Sequence, residues 1–196
     1  FIFRGKKFKW NNEAGGAVGK IKTKSLGSLL GLFKQELGSH INATLLKNLI
    51  EESYEAGGDL SHATRIFVHS LFKSYGLLIL DADHAALKKQ FVPYLMEELQ
   101  EQTCEKKVIA QIKSLKEKYH TQYKPQVNPR KLHLFFLEES KRHRLEKSET
   151  DFTWEEKEKT ISEDEIKVWI NDTPEKFSPN VLMRPLYQEV ILPNIA

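Results

Sequence analysis

A single cysteine, Cys104, stands among 196 residues. One cysteine excludes an internal disulfide framework and any cysteine-based zinc cluster, and it suits the reducing cytoplasm. No apolar run approaches the ~20 residues that a membrane-spanning helix needs. No charged segment followed by an apolar stretch opens the chain, so no signal peptide is expected. Neither sign of charge dominates: 30 basic residues against 27 acidic ones leave +3. That balance argues against a dedicated binder of nucleic acid or of an anionic membrane, although local basic clusters survive it. Internal repeats and low-complexity segments are absent as well. What remains is 40% hydrophobic and 29% charged, the composition of a globular chain with a sizeable core and one or two domains. Asn42-Ala43-Thr44 and Asn171-Asp172-Thr173 match the glycosylation pattern, and in a cytosolic protein such matches are chance.

The opening "FIFRGKKFKW" alternates apolar and basic residues as a half-exposed strand does. Beginning in mid-strand, it suggests a piece from the interior of a longer chain. The Gly-rich "NNEAGGAVGK" fails as a phosphate-binding P-loop, because Ala14 stands at the first glycine position and Ile21 follows Lys20; a turn is expected. Ser25 or Ser28 can cap a helix ending at Gly38, a second helix runs over 41–56 to Gly57-Gly58, and Asp59 or Ser61 caps a third that ends at Gly76. Ile66, Phe67, Leu71 and Phe72 of that third helix should face a core. Leu77–Leu80 is a short continuous apolar run, expected as a strand buried on both faces. A further helix is predicted over 106–119, a hairpin or three-stranded meander over "KLHLFFLEESKRHRLEKSETDFTW", and a short helix from Ser162, which with Glu165 makes a capping box. This order of elements predicts an α/β fold, in which ligands gather at the carboxyl ends of strands.

Asp81, Asp83 and His84 fall at such an end. They can ligate a divalent metal or meet a ribose or an amine; they equally suit a strand-end turn with Asp83 as a helix cap, which the sequence favours. No further convincing ligands support zinc, so no metal is predicted. "RGKKFKW" and "KRHRLEK" can touch phosphates, but their alternation reads better as solvated strand faces. His133 and His143 have no visible catalytic partner, no G-x-S-x-G elbow is present, and Cys104 lacks an electropositive setting and is expected to be inert.

The closing stretch "FSPNVLMRPLYQEVILPNIA" is the most informative. Asn180, Arg184 and Gln188 fall four apart between two apolar lines, so as a helix it predicts one narrow polar strip on a buried face. A buried arginine requires an anion or carboxylate. Pro185 shifts the expected helix start to that residue, which places Arg184 beside free backbone N–H groups. Both geometries bring Arg184 to negative charge, whether of a ligand or of an acidic residue in the same chain.

The same stretch resembles the S-P-N-x-x-x-R-P-L-Y-Q-[DE]-x-x-L-P segment of the bacillithiol biosynthesis cysteine-adding enzymes, the BshC cysteine ligases. "FVHSLFKSYGLLILDADHAALKKQF", "QVNPRKLHLFFLEE" and the opening strand agree in order, so the likeness covers essentially the whole chain. It implies a ligase that adds L-cysteine to glucosaminyl-malate, with ATP or ADP as nucleotide. It implies a Rossmann-like nucleotide-binding core with helical segments and a β-rich connecting-peptide insert, and a homodimer formed through a coiled coil that this chain lacks. Asn180, Arg184 and Gln188 carry over as candidates for binding substrate or nucleotide, with Asp81, Asp83 and His84 behind them; no catalytic residue is identified. Relatives have an acidic, His-containing motif before the equivalent of Phe1 and a Gly-rich loop after that of Ala196. The chain alone is therefore expected to be inactive.

The expected organisation is a core strand and Gly-rich loop at 1–24, a helical region at 25–123 holding the strand 77–80, the β-rich insert at 131–154, and a return to the core over 162–196. The alternative to a ligase is a non-catalytic interaction or scaffold module of an α/β protein.

Overall fold

The computed structural model describes residues 1–11, 17–138, 141–149, 151–154 and 157–193, which divide into two compact units, 1–81 and 82–196. The opening segment is not one strand but a hairpin: β1 (Ile2–Phe3) pairs antiparallel with β2 (Lys6–Lys7). Arg4 and Gly5 connect them with φ of 47° and 76°, the two left-handed residues of a tight hairpin turn. Much of the Gly-rich loop, residues 12–16, lies outside the described residues; its end, Val18–Lys20, is a 3₁₀ turn.

Helix α1 (Gly27–Glu36) grows directly out of a 3₁₀ turn at Thr23–Leu26, so neither Ser25 nor Ser28 caps it. It ends before Gly38, whose φ of 78° is open to glycine. Helix α2 (Ile41–Ile50) continues as a π-helical turn, Glu51–Glu55, up to Gly57. Asp59 caps α3 (Leu60–Phe72) as expected, its carboxylate accepting from the His62 N–H at 3.0 Å. The core of this unit is small: Leu37, Ala43 and Ile50 are buried, with Phe3, Leu30, Phe33, Leu46 and Phe67 packed on them. On α3 only Ala63 is buried, and Leu71 and Phe72 are exposed, against expectation.

Leu77–Leu80 is the main departure. It forms no strand, and Leu77, Leu78 and Leu80 are exposed. A strand needs a neighbour for its N–H and C=O groups, and among the described residues none pairs with it. A continuous apolar run of four residues does not by itself carry a strand.

The second unit starts with α4 (Ala85–Gln90), α5 (Val92–Glu101) and α6 (Thr103–Tyr119). A five-stranded antiparallel sheet follows: β3 (Leu134–Glu138), β4 (Lys141–Lys147), β5 (Asp151–Trp154), β6 (Lys157–Ser162) and β7 (Phe177–Pro179), in the order β6-β5-β4-β3-β7. Helix α7 (Glu163–Asp172) is capped by Ser162, which accepts from the Glu165 N–H at 3.2 Å. Helix α8 (Arg184–Ile191) closes the unit.

Alternate residues of the strands turn to one face, as the pleat dictates. Leu134, Phe136, Leu145, Phe152, Trp154 and Phe177 are buried there, under Phe91 between α4 and α5, Leu95 and Leu99 of α5, and Ile166 and Ile170 of α7. Phe136 stacks on Trp154, centroids 5.1 Å apart and planes 4° apart, and on Trp169 at 5.4 Å. Such pairing adds about 0.5–1.5 kcal/mol beyond burial and fixes the sheet on which the polar groups stand.

Candidate functional site

The second unit gathers charge around the start of α8. Strand β7 is the sheet edge, and Pro179 lies opposite Leu134 of β3; an edge is where a strand tolerates a missing N–H. After it the chain turns. The Asn180 N–H donates to the His133 carbonyl at 2.8 Å, and its side-chain oxygen accepts from the N–H groups of Leu182 and Met183 at 2.9 and 3.3 Å. Its carbonyl then accepts from the Arg184 N–H at 2.9 Å. Asn180 is thus committed to the backbone turn, which explains its place in the sequence without a ligand.

The helix starts at Arg184 with Pro185 in its first turn, where proline is favoured. Arg184 is exposed rather than buried, so the argument from a buried arginine does not hold. Its surroundings supply a different one. Arg142 of β4 lies near Arg184, Asp83 and Arg144. Its guanidinium sits 3.9 Å from the Phe135 ring centroid and donates to the Pro179 carbonyl at 3.0 Å. Desolvation of this stacked group, followed by repulsion from Arg184, holds Arg142 below the usual guanidinium range, and Asp83 offsets this in part. Two arginines that repel one another favour an anion between or beside them.

Lys88 of α4 completes the cluster and is 2% exposed. Its ammonium donates to the Phe177 carbonyl at 2.7 Å, pairs with Asp83 at 3.3 Å and lies 5.4 Å from the Tyr187 ring centroid. Tyr187 is buried, and its hydroxyl donates to the Ala82 carbonyl at 2.5 Å. Tyr187, through the Ala82 carbonyl, and Lys88, between Asp83 and the Tyr187 ring, together tie the residues after Asp81 to α8.

Of the six residues singled out by sequence, Asp83 and Arg184 each lie within electrostatic reach of Arg142. Asn180 shapes the turn. Gln188 lies on the exposed side of α8. His84, not Asp83, caps α4, its Nδ1 accepting from the Ala86 N–H at 3.3 Å. Asp81 belongs to the first unit. Sequence alone does not mark Lys88, which resembles any lysine of an amphipathic helix, or Arg142, whose alternating basic run reads as a solvated face.

A second polar group lies under the sheet. His133 and Glu98 are each 1% exposed. His133 Nδ1 donates to Glu98 at 2.8 Å, and its Nε2 accepts from the Arg130 N–H at 3.2 Å, which sets the tautomer. The other Glu98 oxygen accepts from the Cys104 N–H at 2.9 Å. Donor atoms of Glu98, Cys104 and His133 lie within 4.8 Å of one another, the arrangement among the described residues that could take a metal. The imidazole and both carboxylate oxygens are already engaged, however. Burial, and next the Glu98 charge, push the Cys104 thiol up to about 12. In this state the trio is a polar joint between α5, α6 and the start of β3, and Cys104 is a poor nucleophile. Among the described residues no helix is long and apolar enough to cross a membrane.

Helices with an antiparallel sheet define an α/β domain, and Arg184 after the Asn180 turn, with Arg142 near it, makes a candidate site for anions. The chain belongs to the BshC family: the model for "Bacillithiol biosynthesis BshC, N-terminal Rossmann-like domain" matches residues 2–196. Relatives named "Putative cysteine ligase BshC" include those of Flavobacterium johnsoniae, 47% identical over 195 residues, and Flavobacterium psychrophilum, 46% identical over 196. That of Shouchella clausii is 25% identical over 198 residues. The first two alignments cover 100% of this chain and the third 97%, and each covers 36% of the relative. The chain thus spans about a third of the length of the curated relatives it matches.

Proposed function

We propose that the chain contributes an anion-holding wall to a ligase that joins L-cysteine to glucosaminyl-malate in bacillithiol biosynthesis. The observation that carries this reading is the convergence of Arg142 and Arg184, with Asp83 beside them and Lys88 fixed beneath. Malate's carboxylates suit guanidinium forks. In the reaction, a C–N bond forms between the cysteine carboxyl carbon and the glucosamine amine, which sheds a proton, and one carboxyl C–O bond breaks. An adenine nucleotide is the energy source this reading calls for, its phosphate departing with that oxygen. The task of the chain's own residues is to orient the acceptor and neutralise its charge.

The test is Arg184→Ala in the full-length protein, with glucosaminyl-malate, cysteine and ATP varied in turn. One charge-assisted, two-pronged contact is worth about 1.5–3 kcal/mol, so KM for glucosaminyl-malate should rise roughly 10- to 100-fold, with KM for cysteine little changed. A rise for ATP alone would transfer the site to nucleotide phosphates, and no change in any KM would end the proposal. The chain alone should show no turnover, and dimerisation and cytoplasmic residence belong to the same reading of the whole enzyme.

A further inference from the structure

The first unit contains a cavity that this reading leaves without a task. It measures about 650 Å³, and its lining includes Lys22, Thr23, Lys24, Gly31, Tyr54 and Gly57. Its walls are tied by backbone: the Thr23 N–H donates to the Gly58 carbonyl at 3.2 Å, the Leu60 N–H donates to the Ile21 carbonyl at 2.9 Å, and Lys22 bridges Asp59.

Three features point to a ligand. Thr23 is 1% exposed, and its hydroxyl has no hydrogen-bond partner among the described residues. A buried hydroxyl left unpaired is costly unless something else meets it. Gly27 and Gly31 stand one turn apart on α1 and both line the cavity, and a Cβ at either would meet no atom within 4 Å. Glycine weakens a helix relative to alanine, and one reason to keep it is the close approach of a ligand to the backbone. Finally, Lys22 and Lys24 are exposed and have no ion-pair partner among the described residues, whereas Lys34 is neutralised by Glu51 and Glu55, each at 2.8 Å.

We infer that this cavity binds a small phosphorylated metabolite, its phosphoryl group held by Lys22, Lys24 and the Thr23 hydroxyl and its remainder lying along Gly27 and Gly31 towards Tyr54. The lining has no arginine fork, the group that suits a planar carboxylate; ammonium point charges with a hydroxyl suit a tetrahedral dianion. The volume exceeds that of a bare phosphate and falls within the range of small-molecule sites. This site lies wholly within the first unit, so its fate is independent of the arginine cluster.

The probes are inorganic phosphate and pyrophosphate, titrated into the isotope-labelled chain at constant ionic strength and followed by amide shifts. Saturable shifts are expected at Thr23, Lys24, Gly27, Gly31, Gly57 and Gly58. Lys24→Gln and Thr23→Val should each weaken binding at least fivefold, and Thr23→Ser should retain it. If Thr23→Val does not fold, the Lys22→Gln/Lys24→Gln pair carries the test at the surface. Absent or non-saturable shifts, shifts reproduced by chloride, or unchanged affinity in the variants would each overturn the site.

Discussion

Replacing Lys88 by methionine keeps the aliphatic stem and removes only the ammonium. At least three interactions go with it. The Phe177 carbonyl loses a donor at 2.7 Å, worth about 1–2 kcal/mol for a buried group. Asp83, whose side chain is 35% exposed, loses the Lys88 contact at 3.3 Å, and solvent reduces that contribution to about 1 kcal/mol or less. The ammonium over Tyr187, 5.4 Å from the centroid, adds about 0.5–1 kcal/mol. Against these, the variant no longer desolvates a charge, a gain that can match a pair's whole attraction. The expected net loss is about 2 kcal/mol, or roughly 1 M in urea midpoint for a domain of this size. The assay is urea unfolding by tryptophan fluorescence in a Trp10→Phe background. Trp154 and Trp169, both stacked near Phe136, then report the second unit alone. A midpoint unchanged or raised would refute the reasoning: Lys88 would be a net burden on the fold, and its burial would need explaining by function.

Other consequences are simpler to check. With its thiol raised to about 12, Cys104 should alkylate slowly at neutral pH and gain rate only in strong alkali; Glu98→Gln removes a repelling charge and should speed labelling in the folded chain. Asn180→Ala deprives the Leu182 and Met183 N–H groups of their acceptor and should cost about 1 kcal/mol, read as a lower urea midpoint. Glu163 is held below the usual carboxylate range, first by its hydrogen bond to Lys167. That contribution is present above the unfolded pKa and is lost as pH falls through the lower folded value. Glu163→Gln should therefore lower the melting temperature slightly at pH 7 and not at pH 2, the small effect of an exposed helical pair.

Local chemistry was the legible part. Ser162 with Glu165, Asp59 before α3 and the glycines at 38 and 76 act over a few residues, so their spacing states their role. The meander could be read for the same reason, because its strands are consecutive. What escaped depends on distant partners. Lys88 meets the Phe177 carbonyl across 89 residues and His133 meets Glu98 across 35, and no helical or strand period records either. Arg142 sits in an alternating basic run that reads as a wet surface; what distinguishes it is the Phe135 ring beneath its guanidinium and the Pro179 carbonyl beside it. Leu77–Leu80 misled because continuous apolarity states a wish for burial without naming the partner strand.

The structure narrows the closing motif to its chemical remainder. Ser178 and Pro179 are strand residues paired with Phe135 and Leu134. The Pro179 carbonyl orients Arg142, and Asn180 turns the chain. Pro185 starts α8, and Tyr187 anchors it through the Ala82 carbonyl. Each of these is accounted for by geometry within the unit and needs no ligand. Arg184 and Gln188 are different: one turn apart, exposed, and held by none of these anchoring contacts. A motif that spends five residues on aiming and leaves a guanidinium and an amide facing outward reads as a support for contacts made beyond the chain's own packing. It is on those two side chains, with Arg142 and Asp83 beside the first, that the ligase reading stands.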